Sequence, residues 1–259
     1  MCYDDKIRIK INEVILIKKN NMFKTVGVIM CKYFYSMLVL VFISCSGTKP
    51  KMLLPEKVSP DVYEVLLENE TVKVMKVSFA PGQEDNMHDH YPFTFHLLDG
   101  GKAQVTMPDG KVDEIEIPSD FIGHNGTGVR HKVKNIGSNE INIILIEHKQ
   151  IGSTPMFDND VNLAPHLVSP DIYEMVHEDE QIKVYTAIFP AGGSDKLHEH
   201  GVNTAYVING GKVQIAGPDG SVNERTVPDG AVLFSDKMVR HQVKNIGETD
   251  IKVLLAEYK

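Results

Sequence analysis

The chain of 259 residues is long enough for two modest domains, and 42% of it is hydrophobic. Its net charge of −8 is uneven: residues 1–45 hold seven Lys/Arg against three Asp/Glu, and the remainder 20 against 32. An acidic body argues against nucleic acid and anionic membrane as partners of its surface. The three cysteines, Cys2, Cys31 and Cys45, leave the rest of the chain without a disulfide framework, a thiolate metal site or a cysteine nucleophile.

Residues 1–21 are polar to mixed, with a short alternating stretch from Ile7 to Ile17. Met22-Phe-Lys24 and Met30-Cys-Lys32 each have the form of a signal-peptide start. Residues 33–43 are an apolar run too short to span a bilayer and of the right length for a signal's hydrophobic region. The small residues that follow, around Cys45, resemble the end of a bacterial lipoprotein signal, with Cys45 as the lipidated residue. An ordinary cleaved signal, or a short anchor with Cys45 incidental, is the alternative. The expectation is an exported protein, periplasmic or held to the membrane only through Cys45. Residues 46–54 read as a tether.

From Pro55 the chain repeats itself. Ser59-Pro-Asp61-Val-Tyr63-Glu64 returns as Ser169-Pro-Asp171-Ile-Tyr173-Glu174, and the offset of 110 residues holds without a gap to Lys149/Lys259. Of the 95 paired positions, 39 are identical. A repeat of this length is a whole domain rather than a solenoid unit. The spacing predicts domains over 55–149 and 165–259, joined by a Gly/Ser/Pro/Asp-rich linker over 150–164. Within the first copy, 62–67, 72–79, 94–98, 102–107, 111–117 and 140–148 read as strands, with turns at Gly100-Gly101 and Pro108-Asp-Gly110. Pro118-Ser-Asp120 starts a further strand, and another runs through His131. Short strands at this spacing predict an all-β sandwich or barrel.

The chemistry-bearing residues are two histidine pairs, His88-Asp-His90 and His198-Glu-His200, each after a Gly-containing turn. On a strand, residues i and i+2 share a face, so each pair presents two imidazoles to one point. A third histidine follows in each copy, His131 and His241, four residues before Asn135 and Asn245. Neutral imidazole suits iron, nickel, copper and zinc. The neighbours have drifted between copies while the six histidines have not.

These stretches resemble the first and second cupin motifs. Gly82, His88, His90 and Gly101, with Gly192, His198, His200 and Gly211, occupy the first; His131-Lys-Val-Lys-Asn135 and His241-Gln-Val-Lys-Asn245 match the end of the second. The resemblance covers about residues 55–259 and implies two tandem jelly-roll barrels, a bicupin. Thr94 and Thr204 stand at the position of the family's glutamate ligand. The implied centres are therefore three-histidine ones, as in the thiol and β-diketone dioxygenases of the family. Three neutral ligands leave a divalent ion its full charge and open positions for a small anionic substrate and oxygen.

Iron(II) is the favoured ion, with zinc, nickel or manganese as alternatives. A vestigial site, a non-catalytic binder of a small molecule or sugar, and a metal-dependent isomerase are the competing readings. Strand parity puts His96 and Tyr206 on the face of Thr94 and Thr204, which makes them candidate catalytic residues of the pocket. His124 is expected near the pocket mouth. Arg130 and Arg240 alternate away from the metal, Asn135 and Asn245 satisfy backbone groups, and Asp85 and Asp195 orient imidazoles or cap loops. A small-molecule partner is expected; the resemblance allows a homodimer, for which the sequence specifies no interface. No phosphate-cradling loop, serine-nucleophile elbow or dinucleotide fingerprint occurs.

Overall fold

A computed structural model describes residues 51–150 and 160–259; the leader with Cys45, the start of the tether and most of the linker lie outside them. In the first repeat a one-turn helix, Pro55–Val58, precedes nine strands: β1 Tyr63–Glu68, β2 Val72–Phe79, β3 His88–His90, β4 Phe93–Asp99, β5 Gly101–Thr106, β6 Val112–Ile117, β7 Ile122–Asn125, β8 Val129–Asn135 and β9 Ile141–His148. The second repeat returns the helix as Pro165–Val168. Its strands are β10 Tyr173–Glu178, β11 Ile182–Phe189, β12 His198–His200, β13 Asn203–Asn209, β14 Gly211–Ala216, β15 Val222–Val227, β16 Val232–Ser235, β17 Val239–Asn245 and β18 Ile251–Tyr258.

Each repeat is two antiparallel sheets, a five-stranded one ordered β1-β2-β9-β4-β7 and a four-stranded one ordered β3-β8-β5-β6, with the same order among the counterparts. Both repeats are all-β jelly rolls. The turn before β7 needs a positive φ, which Gly230 supplies in the second repeat at 75°; in the first repeat Asp120 takes it at 65°. That Asp120 carboxylate accepts from Lys252 Nζ at 2.7 Å and meets His96 Nε2 at 2.9 Å.

The pattern of the five-stranded sheet explains why its central strands are apolar on both parities. In β9, Ile141, Ile143 and Leu145 face the interior of the first barrel, while Ile144 and Ile146 face outward. The outward set does not meet solvent. Val72, Val74, Ile144 and Ile146 pack with Ile182, Val184, Leu254 and Ala256 of the second repeat in one buried cluster. The repeats are therefore not independent beads on a linker; they belong to one compact unit with a seam between the outward faces of two sheets.

Two predictions follow from the seam. Leu254 is fully buried there, so Leu254→Ala costs about 2–5 kcal/mol. Because the core is shared, urea unfolding followed by circular dichroism is expected to show one transition, shifted as a whole; two separated transitions would contradict the shared core. The seam also holds His148, which burial and the neighbouring His124 hold down to about 3. Free imidazole titrates near 6.5, so between pH 6.5 and 3 the unfolded chain binds a proton that the native one refuses. Stability is lost as pH falls through that window. His148→Gln should flatten the slope of unfolding free energy between pH 6 and 4 by up to about 1.4 kcal/mol per pH unit; an unchanged slope would refute it.

Candidate metal centres

Strand β3 pairs antiparallel with β8, so His88 lies directly opposite His131 and His90 opposite Val129. The register sets the three imidazoles on one face at the end of the four-stranded sheet. In the second repeat β12 and β17 do the same with His198, His200 and His241. Within each triad one nitrogen of every ring lies within 4.8 Å of the others.

The outer nitrogens are fixed by oxygen acceptors. Nδ1–H of His88 donates to the Asn86 carbonyl at 2.8 Å, and Nδ1–H of His90 to Glu147 Oε1 at 2.6 Å. Their Nε2 atoms face each other at 2.8 Å. The second triad copies this: His198 Nδ1 to the Lys196 carbonyl at 2.9 Å, His200 Nδ1 to Glu257 Oε2 at 3.1 Å, and Nε2 to Nε2 at 2.9 Å. Tyr63 lies with its hydroxyl 3.1 Å from His88 Nε2 while donating to Asp85 Oδ2 at 2.8 Å; Tyr173 and Asp195 repeat the pair. Asp85 Oδ1 also accepts the Val133 N–H.

Burial decides the protonation of the rings. It holds His90, His198 and His241 down to about 3 and His131 well below its ordinary value. These imidazoles are neutral at pH 7, the form that binds metal. Burial lifts Glu147 to about 7, with the buried Lys73 pulling the other way. A cation among the three histidines would favour the ionised carboxylate. Lys73 is the strand partner of Glu147 and donates to Glu56 at 2.9 Å, so a buried line of alternating charge ends on His90.

The structure corrects the placement of the other sequence candidates. On β4 the barrel interior is lined by Phe93, Phe95 and Leu97, and on β13 by Asn203, Ala205 and Val207. Thr94, His96 and Leu98, with Thr204, Tyr206 and Ile208, are on the opposite parity. His96 meets Asp120, and Tyr206 packs in the seam. His96 and Tyr206 are therefore not residues of the pocket, because this sheet is buried on both faces and its outer face is the one that carries them. His124 likewise lies in the seam and not at a pocket mouth, its Nδ1 3.0 Å from Thr94 Oγ1. Arg130 clamps Asp89 with two hydrogen bonds of 2.6 and 2.7 Å, and Arg240 pairs with Glu199. Asn135 Nδ2 donates to the carbonyls of Phe79 and Asn139, and Asp85 holds Tyr63 and a backbone amide.

Sequence reasoning missed Tyr63, Glu147 and their counterparts. A signal was present: Tyr63/Tyr173 and Glu147/Glu257 are identical pairs, and Glu147 follows the apolar run Ile143–Ile146 of its strand.

The two pockets differ in size. His90 and His131 open on a cavity of about 170 Å³, His200 and His241 on one of about 450 Å³. The change follows from the walls: Phe93, Phe95, Leu97 and Val77 become Asn203, Ala205, Val207 and Ala187, while Ile115 becomes Arg225.

No family model matches the chain, and no curated protein matches it in sequence. Solved structures do match in fold. AerE from Microcystis aeruginosa superposes with a TM-score of 0.50 at 16% identity, over 76% of this chain and 97% of that one. The oxalate decarboxylase of Bacillus subtilis, described with Mn(II) centres, superposes with a TM-score of 0.50 at 14% identity, over 82% and 78%. A cupin 2 conserved barrel domain protein from Leptotrichia buccalis gives 0.45 at 13% identity, over 76% and 88%. The likeness is one of fold, a tandem, bicupin-like pair of jelly rolls, and the two triads are candidate metal centres.

Glu147 orients His90, so Glu147→Gln is expected to weaken metal binding at the first triad about 10–100-fold and leave the second unchanged. Metal titration of the purified variant checks this; equal affinity in variant and wild type would remove Glu147 from the site.

Proposed function

We propose that the second repeat holds the reactive centre of a non-haem metal enzyme, dioxygenase-like, acting on a small anionic molecule. The tautomer pattern, shared by both triads, carries the metal, and the wider cavity of the second repeat, about 450 Å³ against about 170 Å³, carries the choice between them. With the Nδ1 protons of His198 and His200 committed to oxygen acceptors, both Nε2 atoms turn lone pairs toward one point at 2.9 Å. Two lone pairs at that distance repel unless a cation is shared between them. Three imidazoles with no carboxylate among them suit iron(II), zinc or nickel, and manganese, the metal described for the Bacillus oxalate decarboxylase, is a further candidate. When bound, the ion supplies Lewis acidity and open coordination positions, and oxygenase chemistry if it is redox-active.

The chain's own residues supply the rest. The apolar walls of the second cavity exclude water, and Arg225 in the wall offers a cation to an anionic substrate. Oxalate, the substrate class in the name of the Bacillus protein, is such an anion. Among the described residues no Asp or Glu lines the cavity. That favours chemistry centred on the ion over an isomerase with a separate carboxylate base. The first barrel, narrowed by Phe93 and Phe95, fits a second ion without room for more than a very small ligand. Export through the leader, with attachment through Cys45, completes the reading and rests on the signal-like sequence alone.

Metal content by mass spectrometry, followed by oxygen uptake with small thiols, diketones and dicarboxylates, tests it. His88→Ala and His198→Ala should each lose one metal equivalent. Turnover should vanish in His198→Ala and fall at least tenfold in Ala205→Phe, which rebuilds the narrow first barrel, while the metal stays. Metal binding without oxygen uptake would leave a binding module; no metal at either triad would overturn the proposal.

A further inference from the structure

The seam between the repeats carries a third cluster with no counterpart at the equivalent positions. His124 on β7 stacks on His177 of β10, their ring centres 4.5 Å apart. Asp179, in the turn after β10, directs Oδ2 to within 3.3 Å of His177 Nε2 and 3.6 Å of His124 Nε2. The repeat counterparts of these three residues are Phe234, Leu67 and Asn69.

The turn does not require the carboxylate. Asp179 Oδ1 accepts the backbone N–H groups of Gln181 and Ile182, and Asn69 Oδ1 accepts those of Thr71 and Val72 in the same way. Oδ2 is the atom that an asparagine would lack, and it is the one facing the histidines.

His124 completes the case. Its side chain is 4% exposed, and its Nδ1 meets the hydroxyl of Thr94, which also meets His148 Nε2 at 2.9 Å. One hydroxyl holds one proton, so Thr94 donates to one ring and accepts from the other. In either arrangement His124 Nε2 is buried with no hydrogen-bond partner. A gap of 3.6 Å to Asp179 is too long for a hydrogen bond. It is close to the separation of about 3.4 Å between two ligand atoms on a tetrahedral ion bound at about 2.0–2.1 Å. Gly126 keeps the approach clear: a Cβ there would stand 3.6 Å from His124 Nε2 and 3.8 Å from Asp179 Oδ2.

We propose that His124, His177 and Asp179 bind a third divalent transition-metal ion, which clasps β7 of the first repeat to the β10–β11 turn of the second. Two imidazoles and one carboxylate suit zinc, cobalt or nickel. His177 and Asp179 are about one-third exposed and give the ion its way in from solvent.

The test is equilibrium dialysis of the protein against zinc with counting by mass spectrometry. Asp179→Asn and His177→Leu place the residues of the equivalent positions in the first repeat, and Asp179→Asn keeps the oxygen that accepts the backbone N–H groups of the turn. Each is expected to bind one zinc fewer than the wild type. The difference is read independently of how many ions the barrel triads hold, and a His88→Ala/His198→Ala protein should retain this ion. A wild type that binds no more zinc than Asp179→Asn would overturn the proposal and leave the cluster as a buried polar contact only.

Discussion

Strands β2, β4 and β9, and their counterparts β11, β13 and β18, are buried on both faces over most of their length. One parity fills a barrel, the other fills the seam, and both must be apolar or satisfied in place. Burying a polar group without a partner costs on the order of 1–3 kcal/mol, so the buried polar side chains of these strands are read by what they meet. Glu147 meets an imidazole and lies beside a buried lysine; Thr94 meets two histidines; Thr204 meets the hydroxyl of Tyr258 at 3.2 Å. The inner parity holds the groups that steady the triads, and the outer parity holds the groups that join the repeats.

That double burial also sets what the sequence could reveal. The duplication, the strands and the histidine triads were legible because they rest on turn residues, alternation and recurrence. The facing of β4 was not. Alternation tells which residues share a face; it tells which face is interior only when the other face is polar. In β4 hydrophobicity favours Phe93, Phe95 and Leu97 as the interior set over Thr94, His96 and Leu98. In β13, with Asn203, Ala205 and Val207 against Thr204, Tyr206 and Ile208, it gives no preference, and the motif threonines set the expected facing instead. The motif threonines point to the seam, so His96 and Tyr206, correctly grouped with them, went to the wrong compartment. Tyr63 and Glu147 lay too far from the histidines in sequence for spacing to join them; only strand pairing brings β9 beside β4 and β1 beside β2.

The triads show how little of a centre is its ligands. His88 and His90 present Nε2 to one point because a backbone carbonyl and a buried carboxylate hold the other side of each ring. Those supports are the same in both repeats, whereas the walls beyond them are not. Exchange of Phe95 for Ala205 changes the space beside the triad without changing how the rings are held. The residues that hold the rings and the residues that size the cavity thus lie on different strands, β3, β8 and β9 for the first and β2, β4 and β6 for the second, with their counterparts in the other repeat.

The seam joins equivalent faces of two copies, Val74 with Val184 and Ile144 with Leu254 in one cluster. This is the arrangement two separate identical subunits would adopt about a twofold axis. In such a dimer every substitution appears twice, and a histidine introduced at one corner is imposed on the other. Covalent fusion lifts that obligation. His124, His177 and Asp179 can gather at one corner while Phe234, Leu67 and Asn69 occupy the equivalent positions, and one barrel can widen while its twin stays narrow. Joining the copies in one chain is what allows this molecule to be asymmetric where its architecture is not.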